Sequence, residues 1–500
     1  MGYLRRILAV LLPALLLGAA AALPAHAGEL IVADGDHAVR TFDPAVPDPR
    51  EVALRPPRAA AAPSRARAAT ARGRRAVLAS LAREMRRKRI SATDLRRWRR
   101  YYALSARTLK KLSGARATQL RYVLGSVESL ALQGRLTATR MPSVFIELER
   151  NRQYWRKLPF PASRDQVSFR GSQIIYTYFP GYGLQYHPLS TFKKANALHG
   201  FCERGEPGCD RAALKQLLDE TTALAVRRSP RFIAWEYLFN FGGGSPPWMS
   251  GMAQATAIQA YARAADLLGE PSYVETARRG LGAFETAPPL GVRTTGPGGG
   301  VHYLQYSFAP RLFIFNAFLQ SLIGLHDFGK LTGDARATRL FREAEPEARV
   351  EVPLSDVDDW SRYSYRGAEA TADYHELMRE FLQSMCTRRL GAIYCEYAKR
   401  YRGYQIDPPT LTLEGPARAV RGQPALIRFT VSKLSAVEVK VFRNGGLAFT
   451  RVATFRRGSG SFSWTPGAAG VFRVELAAKE LRTGLGKRDR TSGEIEVTPP

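Results

Sequence analysis

The hydrophobic period of the chain changes at Pro408, and no single architecture accommodates both sides of that change. Before it, apolar residues recur three and four apart. After it, Leu411-Thr-Leu-Glu, Leu426-Ile-Arg-Phe-Thr-Val, Val437-Glu-Val-Lys-Val-Phe and Val471-Phe-Arg-Val-Glu-Leu alternate faces with period two. Asn444-Gly445-Gly446 suits a hairpin turn, and Ser461-Phe-Ser-Trp464-Thr-Pro-Gly runs a strand into another turn. The 500-residue chain is therefore expected to be multidomain, with a helical body and a β-domain over 408–500.

About seven short strands in that last span predict an immunoglobulin-like β-sandwich. It holds no cysteine, which excludes the disulfide-pinned antibody type. Such a module more often spaces or adheres than catalyses.

The N-terminus reads as a signal peptide over 1–27. Arg5 and Arg6 begin it, Ile7 to Leu23 is a Leu/Ala-rich apolar run, and Ala25-His26-Ala27 is a small-residue cleavage site. That run falls short of the about 20 apolar residues a spanning helix needs. The mature protein is expected to begin at Gly28, secreted or at the cell surface. Residues 28–75, rich in Ala, Pro and Arg, read as a disordered basic linker.

From 76 to 158 the pattern is a basic helical hairpin. Leu78, Leu81, Met85 and Ile90 form one stripe, Leu120, Val123, Leu124, Val127 and Leu130 another, and Ser91-Ala-Thr-Asp94 is a helix start. From 159 to 405 long helices alternate with loops rich in Gly, Pro and aromatics. The candidate helices are 210–226, 249–268, 272–286, 310–330, 334–345 and 373–387. No βαβ alternation, GxGxxG or P-loop pattern appears. The fold class is accordingly multidomain and mainly α, followed by the sandwich.

The net charge of +30 suggests nucleic acid, but its distribution argues otherwise. Residues 50–116 carry 21 Lys and Arg against Glu51, Glu84 and Asp94, a surplus of 18. An exported Arg-rich segment suits a solvated face, an anionic cell-envelope surface or an acidic polymer. No nucleic-acid-binding motif accompanies it. The four cysteines form two local pairs, and short-range disulfides Cys202–Cys209 and Cys386–Cys395 are the simplest of three connectivities. A zinc site would need a CxxC pair or a nearby His cluster, and neither is present, so no metal is expected.

Three blocks stand at the starts of expected helices. The first is Phe241-Gly-Gly-Gly-Ser-Pro-Pro-Trp248-Met-Ser250-Gly-Met252-Ala-Gln254, in which Ser245 can cap a helix and Trp248 can offer a face to a sugar ring. The second is His302-Tyr303-Leu-Gln305-Tyr306-Ser-Phe-Ala-Pro310, leading into a helix that contains Asn316. The third is Tyr363-Ser-Tyr365-Arg366-Gly, followed by Thr371-Ala-Asp373-Tyr374-His375. Free N–H groups at helix N-termini favour an anion such as a uronate carboxylate, and Arg366 could clamp it in bidentate fashion. Tyr306, Tyr363 and Tyr374 supply hydroxyls for proton transfer. A phenol with an ordinary pKa of about 10 needs a nearby cation to act as a base near neutrality.

In order and spacing, Pro246-Pro247-Trp248-Met-Ser250-Gly-Met252-Ala253-Gln254, Gln305-Tyr306, Asn316, Ser321-Leu-Ile-Gly-Leu-His-Asp327, Tyr363-Ser-Tyr-Arg366 and Asp373-Tyr374-His375 resemble the catalytic domain of the D-glucuronyl C5-epimerase family. The likeness covers about 130 residues closely and 160–405 loosely. It implies an α/α toroid and chemistry at C5 of a uronic acid within an acidic polysaccharide. It assigns Tyr306, Tyr363, Tyr374 and Arg366 to catalysis and Trp248, Gln254, Gln305, Asn316 and His375 to substrate binding. It implies no cofactor and, by analogy, a homodimer.

The sequence departs from the family at Gln305, where the family has Glu, and at Ala255, Ser364, Tyr365 and Gly367. An amide has no useful base function. Three readings follow: an epimerase with an altered base, Tyr306 or His302; a polysaccharide lyase, with Gln305 and Arg366 neutralising the carboxylate; and a non-catalytic binder of acidic glycans.

Overall fold

The structure is a computed structural model that describes residues 28–52, 54 and 70–500; the expected signal peptide lies outside them. The protein is multidomain and mixed, 44% helix and 25% strand, rather than mainly α. The excess strand comes partly from short β-elements that helical periodicity concealed.

The expected linker is one such place. Glu29–Asp34 (β1) and His37–Phe42 (β2) form an antiparallel hairpin, with Gly35 left-handed at φ 58° in its turn. β1 also pairs in parallel with Gln166–Phe169 (β3). With Tyr176–Phe179 (β4) and Gly183–Tyr186 (β5) this makes a sheet of order β2-β1-β3-β4-β5. Leu30, Ile31 and Ala33 are buried in it. The Ala/Pro/Arg composition downstream hid a six-residue strand, Glu-Leu-Ile-Val-Ala-Asp.

The basic region holds four helices rather than a hairpin: Ala71–Arg86 (α1), Ala92–Lys111 (α2), Gly114–Leu132 (α3) and Met141–Trp155 (α4). Ser91 caps α2 as its sequence predicts, accepting from the Asp94 amide at 3.0 Å. These helices do not form a unit of their own. One hydrophobic core runs from Ile31 to Tyr401 and includes their buried faces.

Helical hairpins follow: Pro188–Glu203 (α5) with Arg211–Leu224 (α6); Gly251–Leu268 (α7) with Pro271–Gly280 (α8); Phe315–Thr332 (α9) with Ala335–Leu354 (α10); Ala372–Thr387 (α11) with Ala392–Ile406 (α12). α5, α7, α9 and α11 pack side by side, and each packs against its successor in its own hairpin. α7 and α9 are buried almost all round, whereas α6, α8 and α10 bury one face. The α7–α9 contact is close because Gly324 has no side chain; a Cβ there would sit 2.5 Å from the Ala255 carbonyl oxygen. Cys202–Cys209 joins the end of α5 to the start of α6, and Cys386–Cys395 joins α11 to α12, the pairing expected.

Short strands connect the hairpins: Val226–Ser229 (β6) with Phe232–Ala234 (β7), Glu236–Tyr237 (β8) with Trp248–Met249 (β9), and Arg293–Thr295 (β10) with Val301–Tyr303 (β11). In β8, Glu236 is buried between two guanidiniums. Arg140 donates to it at 2.6 and 3.0 Å, and Arg228 at 2.6 Å. Burial works to raise the Glu236 pKa, but the two arginines outweigh it and hold the carboxyl below its ordinary range. Arg228 also donates to the carbonyls of Pro289 and Leu290, each at 2.7 Å.

Beyond Pro408 lie Leu411–Gly415 (β12), Arg418–Val420 (β13), Ala425–Val431 (β14), Ser435–Arg443 (β15), Gly446–Phe455 (β16), Gly458–Trp464 (β17), Gly470–Glu480 (β18) and Arg488–Thr498 (β19). They form two sheets, β12-β14-β17 and β13-β19-β18-β15-β16, whose inward residues share a second core that includes Phe429, Val439, Trp464 and Val474. The Asn444-Gly445 turn has positive φ at both residues, as a two-residue hairpin loop requires.

Two measurements test this account. Glu236→Ala leaves two buried guanidiniums without their carboxylate, so denaturant unfolding should show a loss of about 3–5 kcal/mol. His187 caps α5, its Nδ1 accepting from the Ser190 amide at 3.1 Å and lying 2.8 Å from the Ser190 hydroxyl, and burial holds its pKa down at about 3. A depressed imidazole stabilises the fold fully above its ordinary pKa of 6.5 and progressively less as pH falls towards 3. The stability gap between wild type and His187→Asn should narrow by about 2 kcal/mol between pH 7 and pH 5.

Candidate functional site

The three sequence blocks converge on the N-terminal ends of α7, α9 and α11. In the first, Phe241 and Gly244 exchange backbone hydrogen bonds at 3.0 and 2.8 Å around Gly242 and Gly243, both left-handed. The helix cap is Ser250, not Ser245: its hydroxyl accepts from the Ala253 amide at 3.1 Å. The second block lies against β9, with the Ser307 amide donating to the Met249 carbonyl at 3.0 Å. The third runs beside the start of α9. The Tyr365 amide donates to the Phe313 carbonyl at 3.0 Å, and the Phe315 amide to the Tyr363 carbonyl at 3.4 Å.

This arrangement gathers the three tyrosines. Tyr306 is hydrogen-bonded to Tyr363 through their side chains, and the Tyr363 and Tyr374 rings lie 4.7 Å apart. Tyr306 is buried, while Tyr363 and Tyr374 are half-buried. Burial pushes the Tyr306 pKa well above 10, and the neighbouring phenols and the bond to Tyr363 add to the rise. That direction favours the protonated phenol and counts against Tyr306 as the altered base. Phe308 stacks on Tyr306 at 5.4 Å and also lines a cavity of about 680 Å³ bounded by Pro288, Pro289, Arg293 and Ser307.

Gln305 is buried beside the α7 cap, its side-chain carbonyl accepting from the Ser250 hydroxyl at 3.3 Å. Asn316 lies in the first turn of α9, next to the Phe315 amide that binds the Tyr363 carbonyl. Arg366 is exposed, has a left-handed backbone at φ 54°, and lays its guanidinium 5.1 Å over the Tyr365 ring. Open to solvent, it covers a ring outside the tyrosine trio.

Three expected substrate contacts are framework instead. Trp248 is 1% exposed, stacks on Tyr237 at 4.2 Å and donates to the Phe239 carbonyl, so it has no face for a sugar. Gln254 is 1% exposed and donates to the carbonyls of Ile233 and Gly280. His375 stacks on Trp360 at 3.7 Å, its Nε2 donates to the Tyr401 carbonyl, and its Nδ1 accepts from the Ser361 hydroxyl. Burial holds its pKa down at about 4, so it is neutral. His302, the other candidate base, is buried against Phe318 with Nδ1 on Glu351 at 2.8 Å.

Sequence reasoning missed the Arg140–Glu236–Arg228 triad beneath these loops. No signal marks it: Arg140 and Arg228 read like the chain's many surface arginines. Phe308 was quoted in its block without a role.

Residues 228–403 match the family described as D-glucuronyl C5-epimerase C-terminus. An uncharacterized protein of Methanocaldococcus jannaschii is 25% identical over 190 residues, 37% of this chain and 62% of that protein. A D-glucuronyl C5-epimerase of Caenorhabditis elegans is 28% identical over 178 residues, 32% of this chain and 29% of that enzyme. The chain thus spans less than two thirds of either curated relative. Among solved structures, an endo-beta-1,4-glucanase from Acetobacter xylinum aligns with a TM-score of 0.30 at 13% identity, over 43% of this chain and 67% of its own. Among the described residues, no helix is long and apolar enough to cross a membrane. The likeness to the D-glucuronyl C5-epimerase family thus rests on residues 228–403, the stretch that matches its C-terminal region.

Proposed function

We propose that this protein is an exported polysaccharide uronate C5-epimerase. In this reading its helical hairpins form an α/α toroid, and its C-terminal domain is an immunoglobulin-like module. The observation that carries the reading is the Tyr306–Tyr363–Tyr374 cluster where helix N-termini converge, inside the family match.

The C5 proton of a uronate is α to a carboxylate and weakly acidic. Its removal places charge on that carboxylate, and donors aimed there lower the barrier. The N-termini of α9 and α11 favour such an anion, and the exposed Arg366 can close on it. A half-buried phenol, Tyr363, takes the C5 proton from one face of the ring while the buried Tyr306 hydroxyl supports the phenolate. Tyr374 returns a proton to C5 from the other face. Atoms balance without a cofactor: one C–H bond breaks, an equivalent one forms, and the configuration inverts.

Gln305 favours one alternative, since the family acid is missing: a glycan-binding protein that keeps the cleft without the turnover. The acidic polysaccharide itself, any anionic cell-envelope surface and homodimerisation belong to the same proposal.

Incubation of the purified chain with uronate polymers in deuterated water tests the reading. Deuterium should enter C5 while the polymer stays intact, at a rate that rises with pH above neutrality, as a phenolate base requires. Tyr363→Phe and Tyr374→Phe should each slow it by about 100-fold or more. An unsaturated product absorbing in the ultraviolet would make the protein a lyase. Retained binding with no isotope at C5 across the panel would make it a binder and end the epimerase reading. A large gain in Gln305→Glu would show that a carboxylate can resume the base role.

A further inference from the structure

We infer that the C-terminal sandwich is a working part of the site: Arg482 clamps the loop that carries Tyr363 and Arg366. The inference takes the tyrosine cluster as the site, and so rests on the reading above.

The loop between α10 and α11 folds on itself. Asp356 bridges to Ser361, Arg362 bridges to Glu369, and the Tyr363 amide donates to the Ala368 carbonyl at 3.1 Å. Tyr363 thus stands where this small ladder meets the strand beside Phe313–Phe315. Carboxylates mark both ends of the ladder, Asp359 at one and Glu369 at the other. A single guanidinium from the loop after β18 spans them. Arg482 reaches Asp359 at 3.1 Å through Nη2 and Glu369 at 2.9 Å through Nη1.

Exposure decides which contact matters. Arg456–Glu369 and Arg457–Asp358 also join the sandwich to the loop, but their arginines are 80% and 49% exposed. Exposed pairs hold little. Arg482 and Asp359 are 9% and 4% exposed, so their pairing is shielded from water and salt.

The clamp extends behind the tyrosines. The Arg482 guanidinium lies 5.5 Å over the Trp360 ring, and Trp360 stacks on His375, the neighbour of Tyr374. Trp360 also donates to the Ala370 carbonyl at 2.8 Å, closing the loop from within. The sandwich is itself seated firmly. Lys433 donates to the carbonyls of Gly403, Tyr404 and Asp407 at the C-terminal end of α12, where the helix dipole favours a cation. The family match ends at residue 403, so this clamp is supplied by the part of the chain outside it.

The test uses the full-length chain and reads amide hydrogen exchange by mass spectrometry. In Arg482→Ala, peptides spanning 356–370 should exchange about tenfold faster or more, with peptides of α7 and α9 unchanged. Exposed Arg457→Ala should leave both at wild-type values. Should Arg482→Ala unfold the whole chain, Arg482→Lys decides: a point charge cannot span both carboxylates, so the loop should exchange about threefold faster or more while the fold stands. Wild-type exchange of 356–370 in a folded Arg482 variant overturns the clamp. On a polymer that takes up deuterium, kcat should fall about tenfold in Arg482→Ala with KM within about twofold, and Arg482→Lys should restore part of it. An equal loss in Arg457→Ala would also overturn the specific role. If wild type exchanges no C5 proton on any polymer, the epimerase reading falls, while the loop measurement still decides the clamp.

Discussion

Glu236, fully buried between Arg140 and Arg228, is the joint on which the rest of the body depends. A carboxylate in that position is stable only because two guanidiniums surround it, and each guanidinium reaches a different element. Arg140 belongs to the entry of α4, so the N-terminal helices are tied to the family region rather than appended to it. Arg228 carries the Pro289 and Leu290 carbonyls, fixing the turn beside the large cavity. Strand β8, which holds Glu236, pairs with β9, and β9 supports both the first block and Ser307 of the second. The loops around the tyrosines therefore inherit their positions from an ion triad that no motif announces.

The residues nearest the tyrosines divide by burial into those that build and those that remain available. Trp248, the amide nitrogen of Gln254 and His375 are engaged by backbone carbonyls, the Ser361 hydroxyl and neighbouring rings. Their contacts hold the backbone path on which the loops rest. Tyr363, Tyr374 and Arg366 retain exposure, and Tyr363 and Arg366 come from a loop that is itself held from two directions. One is the start of α9, and the other is the sandwich through Arg482.

Much of this was legible in the sequence, and the failures have physical causes. The pause in apolar spacing placed the three blocks at the starts of α7, α9 and α11, although the α7 cap is Ser250 rather than Ser245 and the other two starts carry no side-chain cap. The break at Pro408 and the Asn444-Gly445 turn were equally plain, because period two and a forced positive φ are local properties. The hairpin at Glu29–Phe42 was not, since composition outweighed a four-residue apolar run, Leu30-Ile-Val-Ala33. Strands of two to four residues such as β8 and β9 are set by tertiary pairing and leave no period to detect. Trp248 could not be assigned either: an aromatic beside a Gly-rich loop looks the same whether its face is covered by Tyr237 or open to a ligand.

Gln305 shows how a single neutral position redistributes roles within the cluster. Its carbonyl takes the Ser250 hydroxyl at the head of α7, a place where a carboxylate would also be welcome. With an amide there, no internal anion competes with an incoming carboxylate for the positive ends of the helices. The same change leaves the cluster without a carboxylate base. Burial counts against Tyr306 in that place, because it favours the protonated phenol. In the epimerase reading Tyr363 then becomes the proposed base: it is partly open to solvent, hydrogen-bonded to the buried Tyr306 and near helix N-termini that favour negative charge. Those contacts last only while its loop keeps it against those partners. In the proposed reaction, a guanidinium from outside the family region, braced on Asp359 and Glu369, would therefore bear on proton transfer at a site it does not touch.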